Sequence, residues 1–366
     1  MASAKFFSLL IRRASSASSA GVALSLATIV ALCWSAASPA SYRGFTTSSS
    51  TFVFDVLMTL FFLVIGLDLG HELSDGFLRD ARHSLPALSA AGGGMIATSG
   101  CALLLGWLFR EPLVAHSWGV PMATDIAFAL AALSLAGENG NHLRHFVLVL
   151  AVADDIGSVI VLAITGQRAL AAWWLGGAFA AGVLTVWLRR RIPLAGWLVV
   201  EVALWWLFHR AGIEAPLSGV LTGICIPTTL RARFDMSFRS LTAGVNLLVL
   251  PLFALVATGV IWTSVSAAPH ATALAAGLTA ARIVGKVAGI TLGALLMSRL
   301  TGIARPPVKD LVPVGFICAM GVTVPLIFAR EVFGNSPAYS VTTATLLGVT
   351  VLSGAVGVVL IRRQNR

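Results

Sequence analysis

Residues 146–165 read FVLVLAVADDIGSVIVLAIT, an apolar stretch that carries two adjacent acids, Asp154 and Asp155, near its middle. A helix of this length can cross the hydrocarbon core of a bilayer. A carboxylate at that depth costs roughly 2.5–3.5 kcal/mol on insertion scales, so two of them indicate a functional site rather than a structural pair. The stretch therefore predicts a membrane protein with an ion or proton site at Asp154 and Asp155.

The composition agrees with a helical membrane protein. Mean hydropathy is +0.90 and only 11% of residues are charged, which excludes a soluble globular chain of this length. The net charge of +10 does not indicate nucleic-acid binding, because the basic residues lie in short loops beside apolar runs. The four cysteines lack metal-ligand spacing and a disulfide framework, so they are interpreted as small buried hydrophobic residues. No cofactor is expected.

The amino-terminal segment has two interpretations. Arg12 and Arg13 precede an apolar run at 20–37, and SPAS follows it, which is also the pattern of a cleaved signal peptide. The run is long for a signal peptide and sufficient for a short span, which favours a retained first helix. The predicted organisation is one integral-membrane domain over residues 1–366, with residues 1–19 as a flexible cytoplasmic arm.

Hydropathy predicts about twelve transmembrane helices in an all-α fold. The predicted spans are 20–38, 52–72, 86–109, 119–137, 146–165, 169–188, 193–209, 213–229, 241–263, 272–298, 311–329 and 340–361. Eighteen of the 25 Lys and Arg residues fall on the side of the two termini and five on the opposite side. This asymmetry predicts that both termini lie in the cytoplasm. The remaining two, Arg282 and Lys286, share one face of the tenth span.

Two predicted spans contain helix-breaking residues. The fourth includes GVPMATDIAFAL (119–130), where Pro121 removes a backbone donor and Thr124 and Asp125 add polar groups. The eleventh includes Gly321, Thr323 and Pro325. Each is the middle member of a three-span group, and paired interruptions of this kind point to an inverted-repeat transporter with its site where the two helices cross.

Seven segments of the chain resemble the NhaA-type sodium/proton antiporters. They are FFLVIGLDL (61–69), PMATDIAFAL (121–130), AVADDIGSVI (151–160), APLSGVLTGICIP (215–227), LPLFALVATG (250–259), VGKVAGI (284–290) and VGFICAMGVT (314–323). The resemblance covers nearly the whole chain, and its most specific part is ATDIAFAL followed by ADDIG. It implies ten core helices in two inverted units, with the fourth and eleventh spans unwound and crossing near the membrane centre.

The resemblance also implies a role for each site residue. Asp155 would be the principal ligand of the transported Na⁺ and the proton carrier. Asp154 would pair with Lys286 and exchange that pairing for protonation during the cycle. Asp125 would balance the positive helix ends at the crossing, and Thr124 would supply an oxygen ligand beside it. The predicted Na⁺ ligands are therefore Asp155, Asp154 and Thr124, all of which offer the oxygen atoms that hard cations prefer.

The implied activity is electrogenic exchange of cytoplasmic Na⁺ or Li⁺ for external H⁺, in the service of pH and sodium homeostasis. A carboxylate that either Na⁺ or H⁺ can neutralise makes the two compete, and competition at a site exposed alternately to each side is sufficient for antiport. The expected location is the cell membrane of a bacterium, with the lipid bilayer, Na⁺ and H⁺ as partners and with homodimer formation left open. No enzymatic activity is expected.

Three other functional classes are weaker interpretations. A sodium-coupled organic-anion symporter of the same fold is the alternative, but that class lacks the paired aspartates and the spanning lysine. An intramembrane aspartyl protease needs two acids that face each other from different helices, and the GxGD signature is absent. A channel is disfavoured because the sequence shows no charged ring or filter repeat.

Several ionisable residues are left open by the sequence. Lys286 either releases protons or only neutralises an acid. Arg282 is not part of a recognised motif and is expected either to reach the interface or to pair with an acid. Glu201 lies within the seventh span with no family counterpart, so a cavity position and a paired position are both open.

The chain departs from the family pattern in the region proposed to sense pH. The departing positions are Gly70, His71, Glu214, Phe238, Arg239, Thr242 and 255–259. Gly70 and His71 stand where the family has a Lys-Arg pair. The expectation is therefore an intact ion site without a sharp pH switch.

Overall fold

The computed structural model of the chain describes residues 17–74, 81–137, 140, 143–165, 172–212, 214–334 and 336–364. Within these ranges every regular element is a helix, and no strand occurs. The prediction of an all-α membrane protein is therefore confirmed. The predicted amino-terminal arm falls largely outside the described residues, and the first helix among those residues begins at Ala17.

The helices are numbered here in chain order. The first nine are α1 (Ala17–Ala37), α2 (Pro39–Thr51), α3 (Met58–Ser74), α4 (Ala81–Leu108), α5 (Pro112–His116), α6 (Ile126–Leu135), α7 (Arg144–Thr165), α8 (Ala172–Leu188) and α9 (Leu194–Ala211). The next nine are α10 (Leu217–Cys225), α11 (Thr228–Arg233), α12 (Asp235–Gly244), α13 (Leu250–Ala257), α14 (Trp262–Ala267), α15 (Ala271–Thr301), α16 (Val308–Cys318), α17 (Thr323–Phe333) and α18 (Pro337–Arg363). Two π-helical stretches, Phe52–Leu57 and Val245–Val249, lead into α3 and α13.

Eight helical stretches among the described residues are long and apolar enough to cross a membrane. The helices α16 and α17 are bent by 54° at a short break and make a ninth if they are taken as one span. Two shorter apolar helices, Ile126–Leu135 and Trp173–Leu188, fall where the fourth and sixth spans were predicted. The chain is thus a multi-pass membrane protein, while the count of twelve spans stays a prediction.

The segment between the first two predicted spans is helical rather than an extended linker. Pro39 begins α2, a position where its missing N–H leaves no hydrogen bond unmade. No further proline follows before Leu57, so α2 continues through the π-helical stretch into α3. The second predicted span, 52–72, is accordingly the end of a longer helical run.

The chain divides into two compact units. The first unit comprises residues 1–27, 44–79 and 162–256, and the second comprises residues 28–43, 80–161 and 257–366. All residues proposed from the sequence to form the transport site lie in the second unit. A single integral-membrane domain over the whole chain remains a prediction.

In the first unit, α3 and α10 approach closely through glycines. A Cβ atom on Gly219 would lie 2.8 Å from the amide nitrogen of Leu63, and one on Gly223 would lie 2.6 Å from the carbonyl carbon of Gly66. Positions further along α3 contact positions further along α10, so the two helices run parallel. Small residues of this kind allow helix backbones to pack in a membrane, where van der Waals contact replaces the hydrophobic effect between helices.

In the second unit, α4 and α15 share a glycine seam. A Cβ on Gly285 would lie 2.6 Å from the Cα of Thr98, and Gly289 and Gly293 face Gly93 and Ser89 in the same way. The contact order is reversed between the helices, so they are antiparallel. The helix α15 ends at Thr301, and the following Gly302 has a φ of 70°, a left-handed conformation that it accepts without a Cβ clash. The seam fixes the helix that carries Arg282 and Lys286.

Candidate transport site

The helices α7 and α15 bring Asp154 and Lys286 into a buried ion pair. The Lys286 Nζ donates to both carboxylate oxygens of Asp154, at 2.7 Å to Oδ1 and 2.6 Å to Oδ2. Both side chains are 0% exposed. Two charges out of water are tolerated only when each neutralises the other at short range. The Asp154 carboxylate is therefore already compensated by Lys286.

The neighbouring acid, Asp155, has a different environment. It is 4% exposed, and its Oδ1 has no hydrogen-bond partner among the described residues. Adjacent helix positions diverge by about 100°, which explains why Lys286 reaches Asp154 and leaves Asp155 unpaired. Asp155 interacts electrostatically with Asp154, Asp125 and Lys286. A buried carboxylate without a partner needs a proton or a cation to balance its charge.

Two breaks in the helices meet beside this pair. Residues 117–125 are not helical before α6, and residues 319–322 separate α16 from α17. The Thr124 hydroxyl donates to the Cys318 carbonyl at 2.7 Å, and the Asp125 amide donates to the Met320 carbonyl at 3.0 Å. The first non-helical segment therefore donates to a carbonyl at the end of α16 and to one within the second break, which satisfies these buried backbone acceptors.

The position of the second break differs from the sequence expectation in one respect. Gly321 lies in the break, but Thr323 begins α17 and Pro325 lies within its first turn. The break therefore precedes Pro325, because proline is compatible with the first turn of a helix, where its missing N–H has no partner to lose. In the first break, Pro121 lies in a turn four residues before Asp125.

Asp125 lies at the amino ends of two helices. Its Oδ1 accepts from the Ala127 amide at 3.2 Å and so caps α6, while its Oδ2 accepts from the Thr323 hydroxyl at 2.9 Å. Thr323 is the first residue of α17. A carboxylate is stabilised at a helix amino terminus by the unpaired N–H groups and the helix dipole. One acid thus serves two helix starts.

Arg282 contacts backbone carbonyls of the same two breaks. Its Nε donates to the Ala319 carbonyl at 2.7 Å, and its Nη2 donates to the carbonyls of Ala123 at 2.9 Å and Gly321 at 3.1 Å. It is 1% exposed and is the largest fully buried side chain among the described residues. The expectation that Arg282 reaches the interface is wrong, because the side chain is buried, and its hydrogen bonds go to backbone carbonyls rather than to a carboxylate.

The structure brings Asp154, Lys286, Thr124 and Asp125 into one unit, with Asp155 coupled to them electrostatically. Their transport roles remain predictions. Sequence reasoning missed Arg282 as a site residue. Two features of the sequence could have indicated its position. Arg282 is a second cation on the Lys286 face, and interrupted helices have freed carbonyls that need a donor.

Glu201, whose surroundings the sequence left open, accepts a hydrogen bond in the first unit. Its Oε1 accepts from the Ser218 hydroxyl at 2.7 Å, and the side chain is 7% exposed. Phe238, one of the departing positions, packs in a buried apolar cluster with Leu67 and Trp197. This departing position therefore lies in an apolar environment.

Comparison with known proteins places the chain in the family that the sequence motifs indicated. The family model of Na⁺/H⁺ antiporter 1 matches residues 12–361. The Na⁺/H⁺ antiporter NhaA of Cronobacter sakazakii is 34% identical over 324 residues, covering 84% of this chain and 81% of its own length. The chain belongs to the Na⁺/H⁺ antiporter 1 family. The NhaA 2 protein of Frankia alni is 32% identical and covers 93% of this chain and 76% of its own length. The NhaA 1 protein of Brucella anthropi is 29% identical and covers 97% and 95%, respectively.

Membership of the Na⁺/H⁺ antiporter 1 family confirms the resemblance inferred from the seven segments. The matched region runs from before α1 into the last turn of α18 and includes both helix breaks and both acids of α7. The family match therefore covers the buried ion pair, Asp155 and the breaks as one connected set.

Proposed function

We propose that this chain exchanges cytoplasmic Na⁺ or Li⁺ for external H⁺, as an antiporter of the bacterial cell membrane. The observation that carries the proposal is Asp155, a buried carboxylate on a membrane helix whose Oδ1 has no partner among the described residues. Asp155 sits beside an acid that is already neutralised by Lys286. One unbalanced negative charge in a membrane interior is a site for which one Na⁺ and one H⁺ compete.

The site residues divide the work. Asp155 binds the transported Na⁺ and carries one exchanged proton. When Asp154 leaves its pairing with Lys286, it carries a second proton in the proton-loaded state and is a Na⁺ ligand in the sodium-loaded state. Thr124 donates its hydroxyl proton to the Cys318 carbonyl, so the lone pairs of its oxygen stay available to a cation. Asp125 holds the two helix starts in place. Hard cations favour such a set of carboxylate, hydroxyl and backbone oxygens.

Exchange that moves more protons than sodium ions is electrogenic, so the membrane potential contributes to driving Na⁺ out of the cell. Placing both termini in the cytoplasm follows from the excess of Lys and Arg in the loops on that side. The activity serves pH and sodium homeostasis. The chain works as one integral-membrane domain, alone or as a homodimer.

The test is proton flux in sealed vesicles that contain the purified protein. A pH-sensitive dye reports proton movement when Na⁺, Li⁺ or K⁺ is added in turn. Na⁺ and Li⁺ are expected to move protons, and dissipating or imposing a membrane potential is expected to change the rate. Absence of cation-induced proton movement, or Na⁺ uptake that requires an organic anion, would contradict the proposal.

The organic-anion symporter considered from the sequence finds no support. The three relatives named above are all called Na⁺/H⁺ antiporters. The ion pair between Lys286 and Asp154 also gives the chain a feature that the symporter class lacks.

A further inference from the structure

The arginine Arg282 is placed where the two interrupted segments need positive charge. The last carbonyls of a helix have no intrahelical partner and carry the negative end of the helix dipole. Ala319 follows the last residue of α16, and its carbonyl accepts from Arg282 Nε. Ala123 and Gly321 belong to the non-helical segments, and their carbonyls accept from Arg282 Nη2. One guanidinium therefore joins both breaks.

Lys286, the other cation of α15, is already engaged elsewhere. Its ammonium group contacts both oxygens of Asp154 at short distance. Arginine also suits the carbonyl position better than lysine, because its planar fork presents several donors at fixed angles and it stays protonated. The two cations thus divide between a carboxylate and a set of backbone carbonyls.

The backbone around the guanidinium is shaped to admit it. A Cβ atom on Gly321 would overlap Arg282 Nη2 and would also lie 2.9 Å from the Ala123 carbonyl oxygen. Glycine at this position lets the guanidinium reach both segments. The Gly321 amide and carbonyl are held from the other side by the Thr350 hydroxyl, at 3.2 and 3.3 Å.

We propose that Arg282 is a positioning residue of the transport site, a fixed positive charge that ties the two helix breaks together and so holds Thr124 and Asp125 in register. This inference rests on the proposed function, because it assigns Arg282 to the same cation site. Arg282 does not contact the cation. It acts through Ala123, the residue directly before Thr124, and through the residues on both sides of Met320, whose carbonyl accepts from the Asp125 amide.

The groups that interact with Arg282 electrostatically are Asp154 and Asp125. Asp125 accepts at the amino ends of α6 and α17, and Arg282 donates at the carbonyl side of the same breaks. The negative charge of Asp125 therefore lies at the N–H ends of the helices, and the positive charge of Arg282 lies at the carbonyls of the same breaks. We call these two charges one charge arrangement. Removing either charge leaves the other unbalanced, so a double substitution is expected to be less harmful than the sum of the two single ones.

The experiment compares Arg282→Lys, Arg282→Gln and Arg282→Met in the full-length protein. Lysine keeps the charge without the fork, glutamine keeps one donor group without the charge, and methionine keeps neither. Arg362→Met is the matched control, because Arg362 also donates to a backbone carbonyl, that of Leu135, but is exposed. The readouts are the apparent KM for Na⁺, the maximal rate, the Na⁺-to-Li⁺ rate ratio and the melting temperature.

Arg282→Met is expected to raise the apparent KM for Na⁺ by on the order of tenfold and to change the Na⁺-to-Li⁺ ratio. Among the three Arg282 variants, Arg282→Lys is expected to lie closest to the wild type. The control, Arg362→Met, is expected to match the wild type. A KM unchanged in Arg282→Met, with only a lower melting temperature, would overturn the proposal in favour of a purely structural arginine. Equal effects of lysine and glutamine would also overturn it, because the charge would then not matter.

A second part of the experiment measures only melting temperatures and does not require transport activity. Asp125→Asn, Arg282→Met and the double variant form a thermodynamic cycle. A double variant less destabilised than the sum supports the charge arrangement, and additive losses contradict it. Vesicles of wild-type protein that move no protons would refute the proposed function alone, and the cycle would still decide whether Arg282 and Asp125 act as one charge arrangement. If Arg282→Met does not fold, Arg282→Lys and Arg282→Gln carry the comparison.

Discussion

Asp154 and Asp155 are adjacent in the chain but chemically distinct in the fold. Asp154 is bound by Lys286 through both oxygens, and the Oδ1 of Asp155 has no partner among the described residues. This difference follows from helix geometry, because neighbouring side chains point in directions that differ by about 100°. At the residue scale, the two acids are therefore not interchangeable. One prediction tests Asp155 directly, and another tests Asp154 through its partner Lys286.

The first prediction concerns Asp155. Asp155→Asn is expected to abolish cation-induced proton movement, because an amide is nearly the same size as the carboxylate but cannot carry the exchanged proton. Dye-reported proton flux in vesicles measures this, with Western blotting to establish normal expression. The same substitution at Asp235, whose carboxylate forms an exposed pair with Arg239, serves as control. Wild-type exchange in Asp155→Asn would contradict the assignment.

The second prediction concerns Lys286. Lys286→Ala leaves Asp154 as a buried charge without its partner, which typically costs about 3–5 kcal/mol of stability. Lys286→Arg keeps a positive charge that can bind both oxygens of Asp154, so it is expected to be milder in activity or in melting temperature. Thermal melts and flux on both variants make the comparison. Equal and severe loss of exchange would instead identify Lys286 as a group that must release a proton, which Arg does not do.

Sequence patterns predict the residues of the site better than their contacts. Acids and a lysine inside apolar runs are conspicuous, because each is costly in lipid, and this made Asp154, Asp155, Asp125 and Lys286 recognisable. The partners of Arg282 are backbone carbonyls, which every residue possesses, so no side-chain pattern marks them. Only the three-dimensional course of residues 123 and 319–321 shows that Arg282 has acceptors there.

At the element scale, the decisive feature is that α6 and α17 begin inside the membrane protein's buried core. A helix that starts there exposes N–H groups with no water to bind them. Asp125 accepts from both starts, through Ala127 and Thr323. The sequence predicted both interruptions from Gly, Pro and Thr residues. It did not predict that Pro325 belongs to the new helix, because proline is equally compatible with a break and with a first helical turn.

The third prediction concerns Asp125. Asp125→Asn keeps a capping oxygen but removes the charge, so it is expected to lower stability by about 1–3 kcal/mol and to raise the apparent KM for Na⁺ without erasing exchange. Thr323→Val is the matched variant, since it removes the hydroxyl donor and leaves the Asp125 charge in place. Melting temperature and flux against Na⁺ concentration measure both effects. An unchanged KM and melting temperature in Asp125→Asn would exclude a role at the breaks.

At the scale of the whole molecule, the residues proposed for transport belong to the second unit, while most positions that depart from the family pattern belong to the first. Phe238 is buried against Leu67 and Trp197, and the neighbouring Arg239 forms an exposed pair with Asp235 at 2.6 Å. Exposed pairs of this kind contribute little and are screened by salt. At Phe238 and Arg239, the first unit therefore has an apolar cluster and a weak exposed ion pair rather than a buried charged group.

The fourth prediction follows for the pH dependence of transport. If H⁺ and Na⁺ only compete at Asp155, the apparent KM for Na⁺ is expected to rise about tenfold for each unit that pH falls below the pKa of the site, for one competing proton. The maximal rate is expected to change much less. Exchange rates over a range of Na⁺ concentrations at several pH values provide the measurement. A maximal rate that collapses within one pH unit at saturating Na⁺ would reveal a dedicated switch.

The two cations of α15 have a consequence for how the protein is made. The partner of Lys286 lies on α7, which is synthesised earlier, whereas two of the three carbonyls that bind Arg282 are synthesised later. A lone arginine at the bilayer centre adds roughly 2.5–3.5 kcal/mol to insertion. Nascent chains that end at residue 301 are therefore expected to hold α15 less firmly in the bilayer than chains that extend through residue 333. Protease protection of α15 in the two membrane-bound truncated chains would measure this, and equal protection would contradict it. The emergence of α16 and α17 thus becomes the step that completes the integration of the helix before them.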